Sequence, residues 1–302
     1  MRNAFTKALT QQARQNPNIW LLSGDIGFSV LEGFAQEFPG RFVNVGVAEQ
    51  NMIGIAAGLA MSGKTVFTYT IGNFSFMRCL EQIRNDVCYH QLNVKIVAVG
   101  GGFAYGNLGY THHAIEDIAI LRVLPHLTVI APGDPVETSL AVEMLCHEQG
   151  PGYLRLGRGG EPVIHTTPPV LIRGRAITLG QGKDIVIVTS AGTLDIAFNA
   201  AQRLRGEGHS VGLISMPILS PFDKKSLLQA AAKATRLVTV EEHGSGGLAS
   251  LVAETMAEAD IYVRLRSLYV RKPPISQSGD RAWLRNYHGI TEEGIIEAAL
   301  DA

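Results

Sequence analysis

Three cysteines in 302 residues, with no Cys-x-x-Cys pair, exclude a disulfide-stapled scaffold and a zinc ribbon. Cys79, Cys88 and Cys146 fall in apolar, helix-patterned segments and are expected as buried, reduced thiols. An excess of charge is missing too: 26 Lys plus Arg against 27 Asp plus Glu leave a net charge of −1. That excludes a broad nucleic-acid or anionic-membrane surface, because both need a concentrated positive field. An anionic substrate must then be met by a few placed cations. No run reaches the ~18 apolar residues of a membrane span, and Met1-Arg2-Asn3-Ala4-Phe5 has no apolar core of a leader, so a cytoplasmic location is expected. Repeats and low-complexity tracts are absent.

What is present is 46% hydrophobic and 18% charged residues, the composition of a packed α/β protein, in a chain long for one core. Short apolar runs at 19–23, 42–45, 65–70, 94–99 and 127–130 alternate with helical patterns at 5–15, 50–62, 79–90 and 135–147. A proline-rich break at 162–169 follows. Alternation then restarts, with strands at 184–189, 211–215, 237–241 and 261–265 and helices at 194–206, 223–232, 247–258 and 292–300. Apolar strands alternating with helices predict parallel sheets covered on both faces. The expected architecture is α/β, two three-layer parallel-sheet domains at 1–164 and 181–302, with a linker at 165–180.

Ligands in open α/β sheets bind beyond the carboxyl ends of strands, and three loops there carry unusual residues. In Val45-Gly46-Val47-Ala48-Glu49-Gln50-Asn51-Met52, Glu49 is a lone carboxylate at a helix start, where a favourable dipole interaction is the ordinary alternative. The second loop, 100–113, has five glycines that would let the backbone approach a ligand, without the G-x-G-x-x-G spacing of a dinucleotide site. It ends in His112-His113, a metal pair only if adjacent side chains converge, and otherwise a hydrogen-bonding or proton-handling histidine. The third, Tyr153-Leu154-Arg155-Leu156-Gly157-Arg158-Gly159-Gly160, offers Arg155 and Arg158 for fork-like recognition of a phosphate or carboxylate, or as plain structural arginines.

In this order and spacing the segments resemble one family. Phe42 to Met52 resembles the transketolase motif around its catalytic glutamate, and Thr111-His112-His113-Ala114-Ile115-Glu116-Asp117 its Thr-His-Gln segment. Leu124-Pro125 and Ala131-Pro132-Gly133-Asp134 follow as in that family. The resemblance covers nearly the whole chain, as a pyrimidine-binding domain and then a transketolase C-terminal domain; deoxyxylulose-phosphate synthases share these motifs. It implies ketol transfer with thiamine diphosphate and Mg2+. Carried over by position, Glu49 is expected as the catalytic acid on the pyrimidine N1′. Phe74 would stack on that ring, with Phe76 as the register alternative. Asp25 and Arg78 would lie on the cofactor side. His112 would be catalytic and touch substrate, and Arg155 and Arg158 would bind substrate, Arg158 through its phosphate. Glu241 to Leu248 would open a helix, with His243 near the site mouth.

Departures matter as well. Gly100 stands where transketolases often have a substrate-binding histidine, and Leu108 where they have an aspartate that reads a sugar hydroxyl. A donor and acceptor other than the usual pentose phosphates are therefore expected, since an unpaired hydroxyl costs about 1–3 kcal/mol. Gly24-Asp25-Ile26-Gly27 does not reproduce the family's Gly-Asp-Gly metal-diphosphate signature, and those ligands must be oxygen-rich. The resemblance thus implies no metal ligand on this chain and a partner, an N-terminal transketolase subunit, in a heterotetramer of two copies each. The alternatives are the β subunit of a 2-oxo-acid dehydrogenase, a deoxyxylulose-phosphate-synthase-like enzyme, and a non-catalytic scaffold paralogue.

Overall fold

The computed structural model describes residues 1–273 and 276–301. In the first half, Ile19–Ser23 (β1), Phe42–Asn44 (β2), Thr65–Ile71 (β3), Val94–Val99 (β4), Thr128–Ile130 (β5) and Gly152–Leu156 (β6) form one sheet. In the second half, Ile177–Gly180 (β7), Ile185–Thr189 (β8), Val211–Ser215 (β9), Ile218–Ser220 (β10), Arg236–Val240 (β11) and Arg264–Leu268 (β12) follow. The sheet orders are β10-β5-β6-β4-β3-β1-β2 and β12-β11-β8-β9-β7. The α/β class holds, but neither sheet is wholly parallel: β10 runs antiparallel to β5, and β7 antiparallel to β9.

The central strands are β-branched, apolar and buried on both faces, as parallel strands between helix layers must be. On one face the helix Arg2–Gln15 seats Phe5 against Tyr69 of β3, with ring centroids 5.6 Å apart. On the other, Glu49–Met61 buries Met52, Ile53, Ala56 and Ala57. The three cysteines are free and buried, and burial pushes each thiol up to about 12. No helix among the described residues is long and apolar enough to cross a membrane.

Three segments differ from the sequence reading. Tyr153 to Leu156, expected in a loop, is strand β6, buried at every residue between β4 and β5. Arg155 hides the apolar pattern there. The stretch 165–180, expected as linker, already contains β7. The last strand lies at Arg264–Leu268, three residues beyond the expected run, and is only half-buried at the sheet edge. The two halves share a seam. β10, from the second half of the chain, completes the first sheet, and Ala191 N–H donates to Ala131 O at 2.9 Å.

Candidate active site

The segments that follow five neighbouring strands of the first sheet, β6-β4-β3-β1-β2, carry the expected residues: Arg158, His112, Phe74 with Arg78, Asp25, and Glu49 in that order. Parallel pairing is why residues more than 100 positions apart reach one edge.

Glu49 is the first residue of its helix and is 2% exposed. Its Oε2 accepts from Arg78 Nη1 at 2.6 Å and its Oε1 from Thr70 Oγ1 at 3.4 Å. Gly24 makes room for its partner Thr70. A Cβ there would press on Thr70 Oγ1 at 3.1 Å and stand 3.6 Å from Glu49 Cγ. Arg78 is 44% exposed and lies over the Phe74 ring, 4.5 Å from its centroid. Phe74 meets His112 edge-on at 5.2 Å, and His112 meets Tyr105 at 6.5 Å. Arg158 then lies over Tyr105 at 5.3 Å. Glu49, Arg78, Phe74, His112, Tyr105 and Arg158 thus form a continuous array along the strand ends.

Phe74 is half-buried at this surface while Phe76 is in the core, so Phe74 is the ring that faces the array. Asp25 is exposed in the left-handed region (φ 58°) and accepts from Asn44 Nδ2 at 2.9 Å; an aspartate tolerates that backbone better than a bulkier residue. It flanks the array without touching it. Asn73, which sequence reading passed over, donates to Thr111 O at 2.8 Å and pins the His112 segment to the start of the Phe74 helix. Nothing in its sequence context marked it. Tyr105 was legible in sequence as one of the residues, with Asn107 and Tyr110, that would reshape the pocket in a glycine-rich loop.

Two expectations fail. Arg155 is not at the surface, because it belongs to buried β6. Its Nε donates to Asp117 at 2.8 Å, and its Nη2 donates to Ala114 O and Glu242 O at 2.8 and 3.0 Å. These bonds tie the two halves together, and burial, at 4% exposure, keeps the guanidinium away from the ligand-facing surface. His243 is not at a mouth either. It is fully buried, its Nε2 accepting from the Ile118 amide at 3.1 Å and its Nδ1 facing Gly244 O at 2.9 Å. Burial, opposed by Asp117, lowers its pKa to about 4 and keeps it neutral.

The triple glycine also has a different cause from ligand approach. A Cβ on Gly100 would overlap the Tyr105 ring, one on Gly101 would meet Arg155 Cγ at 2.7 Å, and one on Gly102 would overlap Glu242. Each glycine admits a side chain. His112 and His113 point apart, His113 being buried edge-on to Phe103 and facing Gly106 O at 3.2 Å, with burial lowering its pKa. Among the described residues no group of three or more His, Cys, Asp or Glu stands together to hold a metal.

The residues present fit a flat heteroaromatic cofactor: a buried carboxylate with accepting capacity left, beside a partly exposed aromatic ring. A two-domain α/β protein with its site at the strand ends of the first domain is the class this geometry defines. Residues 1–161 match the transketolase pyrimidine-binding domain and residues 174–295 the transketolase C-terminal domain. The chain belongs to the transketolase family. An apulose-4-phosphate transketolase subunit of Phocaeicola vulgatus is 37% identical, the match covering 99% of this chain and 96% of that one. A 6-deoxy-6-sulfo-D-fructose transketolase subunit of a Clostridium species is 34% identical over 99% of this chain and 93% of its own. A solved structure of a split gene transketolase, an inactive beta4 tetramer, superposes with a TM-score of 0.89 at 37% identity, covering 100% of this chain and 97% of that one.

Proposed function

We propose that this chain is the pyrimidine-facing subunit of a split transketolase, transferring a two-carbon ketol unit between phosphorylated sugars with thiamine diphosphate and Mg2+. The N-terminal subunit, with the diphosphate-binding domain, brings the metal ligands, in a cytoplasmic assembly of two copies of each. One observation carries this reading: Glu49 is buried at the strand ends, in contact with Arg78, which lies over the half-buried Phe74 ring.

Thiamine diphosphate, when bound, would supply nucleophilic carbon chemistry toward carbonyl groups, with Glu49 and Phe74 as the residues that would hold its pyrimidine ring. The residues here bind and steer. Glu49 has lone pairs beyond those taken by Arg78 and Thr70, so it can share a proton with a ring nitrogen. Phe74 offers a flat face, His112 a ring nitrogen for a sugar hydroxyl, and Arg158 an exposed guanidinium for a phosphate or sulfonate. Leu108, 54% exposed, brings no hydroxyl partner, which favours substrates other than the usual pentose phosphates. Phe28 and Val47, 77% and 73% exposed, and Met77 lie at the same strand ends. Exposed apolar side chains gathered there suit a surface that the N-terminal subunit covers.

The test is reconstitution of this chain with the N-terminal subunit, thiamine diphosphate and magnesium. Ketol transfer from a ketose phosphate is expected, and Glu49→Gln should lower it by about 100-fold or more while the fold is kept. Unchanged turnover in that variant overturns the reading. Product formed from pyruvate plus an aldehyde phosphate would move the chain to the synthase class, and cofactor binding without turnover to a scaffold.

A further inference from the structure

The loop after β4 departs from the family pattern at Gly100, and the structure shows what occupies the space. Gly100 sits in the left-handed region (φ 89°), and a Cβ there would overlap Cε2 and Cδ2 of Tyr105. Tyr105 is half-buried against the core that contains Val99 and Leu156, the last residues of β4 and β6. Its carbonyl accepts from the Leu108 amide at 2.9 Å, closing the turn that carries the ring. On the solvent side, Arg158 lies over the ring at 5.3 Å and His112 approaches at 6.5 Å.

We propose that Tyr105 is a positioning residue: its ring, seated in the space that Gly100 leaves, holds the Arg158 guanidinium toward an anionic group of the substrate. The proposal rests on the reading of Arg158 as the anion-binding cation and adds what fixes it. Arg158 is exposed and follows Gly157 and precedes Gly159 and Gly160, so its backbone gives it little constraint. An aromatic face attracts a guanidinium and limits its rotamers while leaving its N–H groups free for the anion. Any side chain at position 100 would evict the ring, so this placement of Tyr105 requires the glycine.

Inorganic phosphate titrated into the full-length chain tests this, followed by the NMR signal of the Arg158 Nε–H, assigned by its loss in Arg158→Ala. Saturable binding is expected in the wild type. Tyr105→Leu should weaken it about three- to fivefold, the range of an exposed cation–π contact, whereas Tyr105→Phe, which keeps the ring, should remain within about twofold. Gly100→Ala should weaken it as Tyr105→Leu does, and the double variant should show no further loss. The left-handed backbone penalty at position 100 is the same with or without Tyr105 and cancels in that cycle. Saturable binding that is equal in wild type and Tyr105→Leu, or failure of Tyr105→Phe to restore it, overturns the positioning role alone. No saturable response in the wild type overturns the Arg158 reading, and the positioning role falls with it.

Discussion

The strand-end site and the seam between the two halves are made of the same residue types, carboxylates, arginines and histidines among glycines, yet they are opposite in physical character. At the heart of the seam the carboxylates are buried and engaged. Asp117 accepts from Arg155 and from Tyr153 Oη at 2.7 Å. Glu242 accepts from Arg281 at 2.8 Å, from Arg285 and from the Phe103 amide. Glu241 caps the helix Leu248–Glu258 through the Leu248 and Ala249 amides, both at 2.7 Å; burial outweighs those bonds and pushes its pKa up to about 7. At the strand ends only Glu49 is buried, and its arginine partner is nearly half exposed. A charge held by protein on all sides maintains geometry, whereas one left half in solvent has capacity for a ligand. Residue type alone does not separate the two.

The sharpest way to break this contrast is to empty one side of the seam. Arg155→Met leaves Asp117 buried without its cation, and the loss should be about 3–5 kcal/mol in chemical denaturation, as for removal of one partner of a buried pair. Adding Asp117→Asn should recover part of it. A loss as small as that of a surface substitution would place Arg155 back among the ligand-facing residues.

Next is Glu242. Burial would raise its pKa, but Arg281 and Arg285 reverse that and bring it down from 4.5 to about 2. A depressed carboxyl pKa contributes stability that is fully present above about 4.5 and lost as pH falls toward 2. The shift corresponds to something on the order of 3 kcal/mol. Glu242→Gln should therefore destabilise the chain by about that much at neutral pH, and the gap to wild type should close between pH 4.5 and 2. A gap independent of pH across that window would mean the carboxylate charge contributes nothing.

Much of this was legible in sequence. The strands 19–23, 94–99 and 211–215 and the helices 135–147, 194–206 and 292–300 appear where apolar period and length place them. The loops bearing Glu49, His112 and Arg158 were legible from the rule that ligands bind past the carboxyl ends of parallel strands, whereas the choice of those residues within them came from the family resemblance. What was not legible depends on partners distant in the chain. Arg155 read as a loop cation because Asp117, 38 residues away, is what allows an arginine inside a strand. His243 read as a mouth residue because its burial against the Ile118 amide spans 125 residues. The glycines at 100–102 look ligand-directed until Tyr105, Arg155 and Glu242 are seen against them.

The exposed region gives smaller effects on stability and larger ones on function. Arg78→Ala removes a pair that is buried on one side only, and should cost about 1–3 kcal/mol, between the exposed and the fully buried case. Its consequence should appear in turnover of the reconstituted enzyme, because Glu49 loses its shortest contact. If unfolding shifts by several kcal/mol instead, Arg78 belongs with the seam residues.

Arg158 should give the smallest change of all. It is exposed and its one described contact is the Tyr105 face, so Arg158→Ala should leave the unfolding midpoint of the chain where it is. In the reconstituted enzyme the same substitution should raise KM for a phosphorylated sugar by about tenfold, the loss of a charge-assisted hydrogen bond, with kcat little altered. A matched sugar without phosphate should be handled equally by both forms. Equal KM for the two sugars in the wild type, or a fall in kcat with KM unmoved, would mean that the guanidinium does not read the anion. A destabilised but kinetically normal variant would erase the difference between seam and site, because it would show that an exposed arginine over an aromatic ring serves the fold.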